Sequence, residues 1–272
     1  MNRLVDIRLR RDRRVLIGLL PIVGLIVLYV VLSAARHVAN PADKVLPIVS
    51  DMASAMIRLA TIPDAATGRV SLVADTAASL VRLSTGLAIA TVSALVLGLL
   101  LGVVPLARAA LGPVMTLIAV IPPIAVLPIL FIALGLGEAS KIALIAIGIA
   151  PFMIRDLTAY VAALPAEQVV KAQTLGANSW QLALRVALPQ LMPRLIESLR
   201  LSIGPAWVFL IAAEAVASDV GLGYRIFLVR RYLAMDIILP YVAWIALLAI
   251  AADALLRWLS RAAFPWASGA AR

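Results

Sequence analysis

The chain contains no cysteine among its 272 residues. That excludes a disulfide framework, a thiol nucleophile and any thiolate metal site. It has a single histidine, His37, so no histidine-based metal cluster can be assembled. Ser202, Ser218 and the scattered carboxylates have no histidine base to activate them. No phosphate-cradling glycine loop ending in Lys-Ser or Lys-Thr is present, which excludes the usual mode of ATP binding. Gly221-Leu222-Gly223 is too short for a dinucleotide fingerprint, and neither an HExxH nor a GxSxG pattern occurs. No cofactor and no catalytic residue is expected.

Apolar side chains fill the space. Hydrophobic residues make up 64% of the chain and the mean hydropathy is +1.06, where a soluble domain is nearer half apolar. Most of this surface must face lipid. The formal net charge is +10. The arginines sit at the ends of apolar runs and not on one face interleaved with aromatics, which argues against nucleic acid and for anionic headgroups. Spans of about 20 apolar residues are read at 15–35, 83–104, 113–134, 141–160, 195–217 and 237–259. The predicted fold class is an all-α membrane protein of about six transmembrane helices.

The basic tail 1–14, with Arg8, Arg10, Arg11, Arg13 and Arg14, places the N-terminus in the cytoplasm. The first run is too long for a signal-peptide core and lacks a cleavage site, so 15–35 reads as an uncleaved span, with His37 at its interfacial end. Residues 36–82 are mixed and polar and read as a periplasmic segment, with a short amphipathic helix at 47–60. Residues 83–260 form the core, within which 161–194 is cytoplasmic. The tail 261–272 returns to the cytoplasm, in keeping with Arg257, Arg261 and Arg272. Arg225, Arg230 and Arg231 fall on the outer side against the charge bias.

Several features break the apolar pattern. Pro122, Pro123 and Pro128 predict a bent helix in the third span, a candidate pathway lining. Gly98 and Gly102 are spaced for close helix contact. Glu214 stands in the apolar LIAAEAVAS, about two turns after Trp207, and Asp219 and the 221–223 turn then place it near the membrane edge. Two readings stand: a gate or pathway carboxylate on the inward face, or a structural pair with an arginine such as Arg225. Asp156 beside Arg155 reads as a local ion pair.

The polar stretch 170–189, VKAQTLGANSWQLALRVALP, lies between apolar spans. One reading is a surface helical hairpin in which Gly176 is a C-cap and Pro189 a stop. Its spacing also resembles the E-A-A-x3-G-x9-I-x-L-P loop by which permease subunits of ABC importers dock on their ATPase. Gly176 takes the glycine position, Val186 the isoleucine position, and Leu188-Pro189 close the motif. Of the first three positions only Ala172 matches; Val170 and Lys171 depart, and Glu167 lies one turn earlier. The docking candidates are Ala172, Leu175, Gly176, Ala177, Trp180, Leu188 and Pro189.

The resemblance extends further. IPPIAVLPILFIALGLGEASKIALI (121–145) and GPAWVFLIAAEAVASDVGLGYRIF (204–227) are similar to the nitrate, sulfonate and taurine branch of these permeases, and LPIVSDM (46–52) is loosely similar to their outer segment. The resemblance implies a MetI-like fold in the inner membrane and a homodimeric or heterodimeric pore with a second permease subunit. Cytoplasmic ABC ATPase subunits and a periplasmic or lipid-anchored solute-binding protein are the implied partners, alongside membrane lipids and no nucleic acid. The solute it implies is nitrate, a sulfonate or taurine. FLVRRYLAMDIILPY (227–241) is similar to permeases of urea or guanidine-type nitrogen systems. Arg225 in a vestibule would favour an anion, and Glu214 in the path a cation. A secondary transporter and an intramembrane enzyme are the alternative classes, although paired inverted repeats with broken helices in both halves are absent. Reporter fusions after Arg14, Asp64, Asn178 and Ser268 should read inside, outside, inside and inside; an outside reading at Asn178 would overturn both the topology and the docking role.

Overall fold

The computed structural model describes residues 11–40, 44–65 and 68–267. Arg8, Arg10 and Arg272, part of the basic tails, lie outside the described residues. Helices account for nearly all of what is described: α1 (Arg11–Ala39), α2 (Val49–Thr61), α3 (Ser71–Val103), α4 (Pro105–Val120), α5 (Pro123–Leu134), α6 (Glu138–Ala162), α7 (Ala166–Thr174), α8 (Ser179–Gln181), α9 (Leu188–Val216), α10 (Leu222–Arg230) and α11 (Met235–Ala263). Among the described residues five helical stretches are long and apolar enough to cross a membrane, six if the bent pair α4–α5 counts as one span.

The core is the packing of α3, α6 and α9. Without a hydrophobic drive between helices in lipid, close backbone approach must supply the contact. Gly86, Ala90, Ala94, Gly98 and Gly102 are all buried and recur every four residues along α3. A Cβ at Gly86, Gly98 or Gly102 would fall 2.7, 2.7 or 2.4 Å from the Cβ of Ile145, Leu157 or Val161 on α6. The pair of small residues read from sequence is therefore the end of a longer stripe. By contrast α1 is exposed on nearly every face and is tied to the rest by Tyr29 and Ser33, whose hydroxyls donate to the Pro47 carbonyl at 2.7 and 2.9 Å. α2 occupies the predicted amphipathic segment.

Three expectations are corrected. The third span is not one kinked helix: α4 and α5 meet at 96°. Pro122 and Pro123 both lack an N–H, and each proline drives the residue before it into extended backbone, so the helix stops at Val120 and restarts with Pro123 in its first turn. α3 starts at Ser71, not at residue 83, because Asp75, Ser79 and Arg82 turn inward and find partners there. Pro189 is no stop. The helix runs unbroken from Ser179 to Val216 through a π-helical stretch, Leu182–Ala187. A proline ring clashes with the carbonyl four residues back; widening the preceding turn, where the Leu188 N–H bonds the Ala183 carbonyl, accommodates it.

The α3–α6 contact leaves no room for a side chain at Gly102. Gly102→Val should lower stability by about 1 to 3 kcal/mol through overpacking. Gly204→Ala, at a helical site with no neighbour within 4 Å, should not. Thermal unfolding in detergent checks both, and equal stability of Gly102→Val and the parent would contradict the packing.

Candidate functional site

Two polar features lie at opposite ends of the bundle. At one end, α9 finishes at Val216 and the chain turns back so that Gly221-Leu222-Gly223 opens α10 against α3. The first N–H groups of a helix have no partner within it. Here side chains supply the acceptors. The Gly221 N–H donates to Asp75 Oδ1 at 3.0 Å, the Leu222 N–H to Ser79 Oγ at 2.8 Å, and the Gly223 N–H to Glu214 Oε2 at 2.8 Å. Ser79 Oγ donates to Glu214 at 2.8 Å. Arg82 Nη1 donates to Glu214 Oε1 and to the Val220 carbonyl, both at 2.7 Å.

The Arg82 guanidinium turns its other edge to Glu138 at the start of α6, with Nε at 2.5 Å and Nη2 at 2.8 Å, and Lys141 Nζ reaches the same carboxylate at 3.1 Å. Arg225 Nε donates to Asp75 Oδ2 at 2.8 Å, and Tyr241 on α11 donates to it at 3.1 Å. Arg82 is 3% exposed and Glu214 and Asp75 fully buried, whereas Glu138 is 58% exposed. The charges alternate in sign throughout, as burial in low dielectric demands. Burial opposes the Arg225 charge, but the Asp75 carboxylate more than offsets this and holds the guanidinium above its ordinary range.

The two glycines are needed for this closure. Gly221 has φ +139°, and a Cβ there would lie 2.5 Å from the Glu214 carboxyl carbon; a Cβ on Gly223 would lie 2.9 Å from the Ile211 backbone. Asp75, Ser79 and Arg82 recur at i, i+4 and i+7 and so share one face of α3, continuous with the small-residue stripe. That spacing is the sequence signal by which they could have been found, together with Glu138 and Lys141 at i, i+3.

Several readings change. Glu214 is not at a solvated edge, and its arginine is Arg82, not Arg225. Arg225 pairs with Asp75. Arg230 stacks over the Phe227 ring at 4.9 Å. Trp207 sits in the core, its Nε1 buried without a partner among the described residues. Pro122 and Pro128 are exposed and Pro123 half-buried, and none joins the network.

At the other end stands the 170–189 loop. α7 ends in a Schellman motif: the Ala177 N–H bonds the Ala172 carbonyl at 3.0 Å and the Gly176 N–H the Gln173 carbonyl at 2.9 Å. Gly176 takes the left-handed conformation, φ +82°, as the C-cap reading requires. Asn178 and Gln181 then form a reciprocal capping box at 2.8 and 3.0 Å. The Gln168–Gln190 hydrogen bond, 2.9 Å, ties α7 back to α9. Leu175 and Trp180, on either side of the glycine, are 80% and 71% exposed. Ala172, Ala177 and Leu188 are half-buried, and Pro189 is exposed. Nearby, Asp156 pairs with Arg194 and not with its neighbour Arg155. Among the described residues no cluster of His, Asp or Glu could hold a metal ion.

The profile of the family described as binding-protein-dependent transport system inner membrane component matches residues 94–265. The taurine transport system permease protein of Escherichia coli (strain K12) is 35% identical over 190 residues, 70% of this chain and 69% of that protein. A nitrate import permease protein of Leptolyngbya laminosa is 32% identical over 55% of this chain and 54% of its own. A putative aliphatic sulfonates transport permease protein of Bacillus subtilis (strain 168) is 28% identical over 69% of this chain and 68% of its own. In fold, the chain is similar to one from the MetNI methionine ABC transporter in inward-facing conformations, with TM-score 0.55, 21% identity, and coverage of 66% of this chain and 92% of that one. By this match and this identity, and with its membrane-length helices, the chain belongs to the binding-protein-dependent transport system inner membrane component family: it is a multi-pass inner-membrane permease subunit of an ABC importer, a kind of subunit that is not itself catalytic, with ATP hydrolysis in a partner subunit.

Proposed function

We propose that this permease forms the pathway for a small sulfonate or oxyanion and couples to its ATPase through the 170–189 loop. The observation that carries the coupling is the exposure of Leu175 and Trp180 on a segment stiffened by a Schellman cap and a capping box. Large apolar side chains held in water at fixed positions suit a partner's pocket. The relatives named for taurine, aliphatic sulfonates and nitrate support an anionic group over urea or guanidine. A second permease subunit, two ATPase subunits and a solute-binding protein complete the assembly in this reading.

The helix from Ser179 to Val216 is the element that transmits the motion. Its 38 residues span about 57 Å at 1.5 Å per residue. One end carries Trp180 and the other Glu214, so ATP-driven displacement of the loop levers α9 about the end pinned by Arg82, Ser79 and the 221–223 turn. In this reading Glu214 anchors the lever and does not contact solute. The bent pair α4–α5 stands outside that network, and in this reading it lines the pathway.

Three outcomes follow from this. Trp180→Ala and Leu175→Ala should each weaken ATPase co-purification by about 2 kcal/mol, roughly thirtyfold, as truncated hot spots do; Gly176→Val should uncouple hydrolysis from transport while the chain stays in the membrane. Normal assembly and transport in all three would exclude the docking role. For the solute, the binding protein loaded with taurine, an alkanesulfonate or nitrate should stimulate ATP hydrolysis by the assembled importer, and the same protein offered urea or guanidine should not. Glu214→Gln should lower thermal stability by about 3 to 5 kcal/mol, the cost of breaking one side of a buried pair. A Glu214→Gln protein that unfolds like the parent but transports differently would instead make Glu214 a pathway residue.

A further inference from the structure

Near the loop end of the bundle, a cavity of about 340 Å³ opens between α9 and α11. Arg194, Glu197 and Arg200 line it from α9, Arg257, Ser260 and Arg261 from α11, and Tyr160 from α6. Three of the four guanidinium groups are matched. Asp156 holds Arg194, Glu197 and Asp253 hold Arg200, and Asp253 also holds Arg257. Arg261 has no carboxylate partner among the described residues. One positive charge is thus left over in a polar hollow near the end of a membrane-length helix.

Exposed aromatics flank Arg261 in the chain. Trp258 on α11 and Trp266 just beyond it are 63% and 64% exposed, and Trp266 packs edge-on against Phe264. Exposed tryptophans at a helix end mark the depth of the headgroups. Leu255 and Leu259 on the same helix present apolar surface. Arginine forks fit phosphate oxygens, and basic hollows between spanning helices take lipid headgroups.

We infer that this cavity binds the phosphate of an anionic phospholipid, with the acyl chains laid along α11. A phosphodiester carrying one net negative charge, as in phosphatidylglycerol, matches the single unpaired guanidinium. Phosphatidylcholine carries its own cation and gains nothing from Arg261. The site is independent of the transported solute and of the ATPase contact, and it ties α9 to the surrounding leaflet.

The test uses the full-length chain in neutral detergent, with native mass spectrometry and thermal unfolding as readouts. Phosphatidylglycerol should be retained and should raise the melting temperature, while phosphatidylcholine and inorganic phosphate at equal concentration should do neither. Arg261→Gln should weaken phosphatidylglycerol binding about fivefold and Arg261→Glu roughly thirtyfold, one and two charges removed at a membrane surface. Arg261→Lys, which keeps the charge but not the fork and controls for folding, should bind better than Arg261→Gln, and Arg231→Gln, an exposed arginine at the far end, should bind like the parent. Equal stabilisation by phosphatidylcholine would overturn the site, as would reproduction of the effect by inorganic phosphate alone, parental binding in Arg261→Glu, or an equal loss in Arg231→Gln.

Discussion

A carboxylate and a guanidinium buried in a bundle that sits in hydrocarbon persist only if every lone pair and proton around them is matched. The contact between Glu214 and Arg82 therefore dictates much of its surroundings. Glu214 needs further donors, and Ser79 and the Gly223 N–H provide them. Arg82 needs further acceptors, and takes Glu138 and the Val220 carbonyl. Each demand recruits another element: the early turns of α3, the first turn of α6, the last turns of α9 and the entry to α10. The glycines at 221 and 223 follow from the same demand, since any side chain there would occupy the space of the carboxylate or of the α9 backbone.

Away from that end, cohesion comes from proximity. The stripe from Gly86 to Gly102 brings α3 onto α6, and the branched side chains Ile145, Leu157 and Val161 fill the grooves it leaves. A charged cluster fixes which helices meet at one end, and shape complementarity carries the contact to the other. α1 shares in neither and is exposed along nearly its whole described length.

The legible part of the sequence was local. Apolar runs gave the spanning helices, and the spacing from Gly176 to Leu188-Pro189 singled out the loop and the left-handed glycine at its centre. What stayed hidden depended on partners distant in the chain. Arg82 reads as the polar border of a span because nothing nearby says that it will meet residues 56 and 132 positions away. The same ignorance assigned Asp156 to the adjacent Arg155, and left Arg225 as one example of a partner for Glu214. The double proline at 122 and 123 announced a bend, but its size depends on how α5 packs against α6. Pro189, which one reading made a stop, is carried within the helix because the turn before it widens.

That widened turn, Leu182–Ala187, has a bearing on direction. Successive residues of an α-helix are offset by about 100° around the axis. A π-helical turn takes in an extra residue without a matching advance, so it resets the azimuth between what lies before and after. Trp180 lies before the stretch, and the buried face of α9, with Leu191, Leu195 and Ser198, lies after it. The compass bearing of the loop is thus set independently of how α9 seats in the bundle. Insertion or loss of one residue in this turn would re-aim the loop while leaving the core contacts of α9 in register.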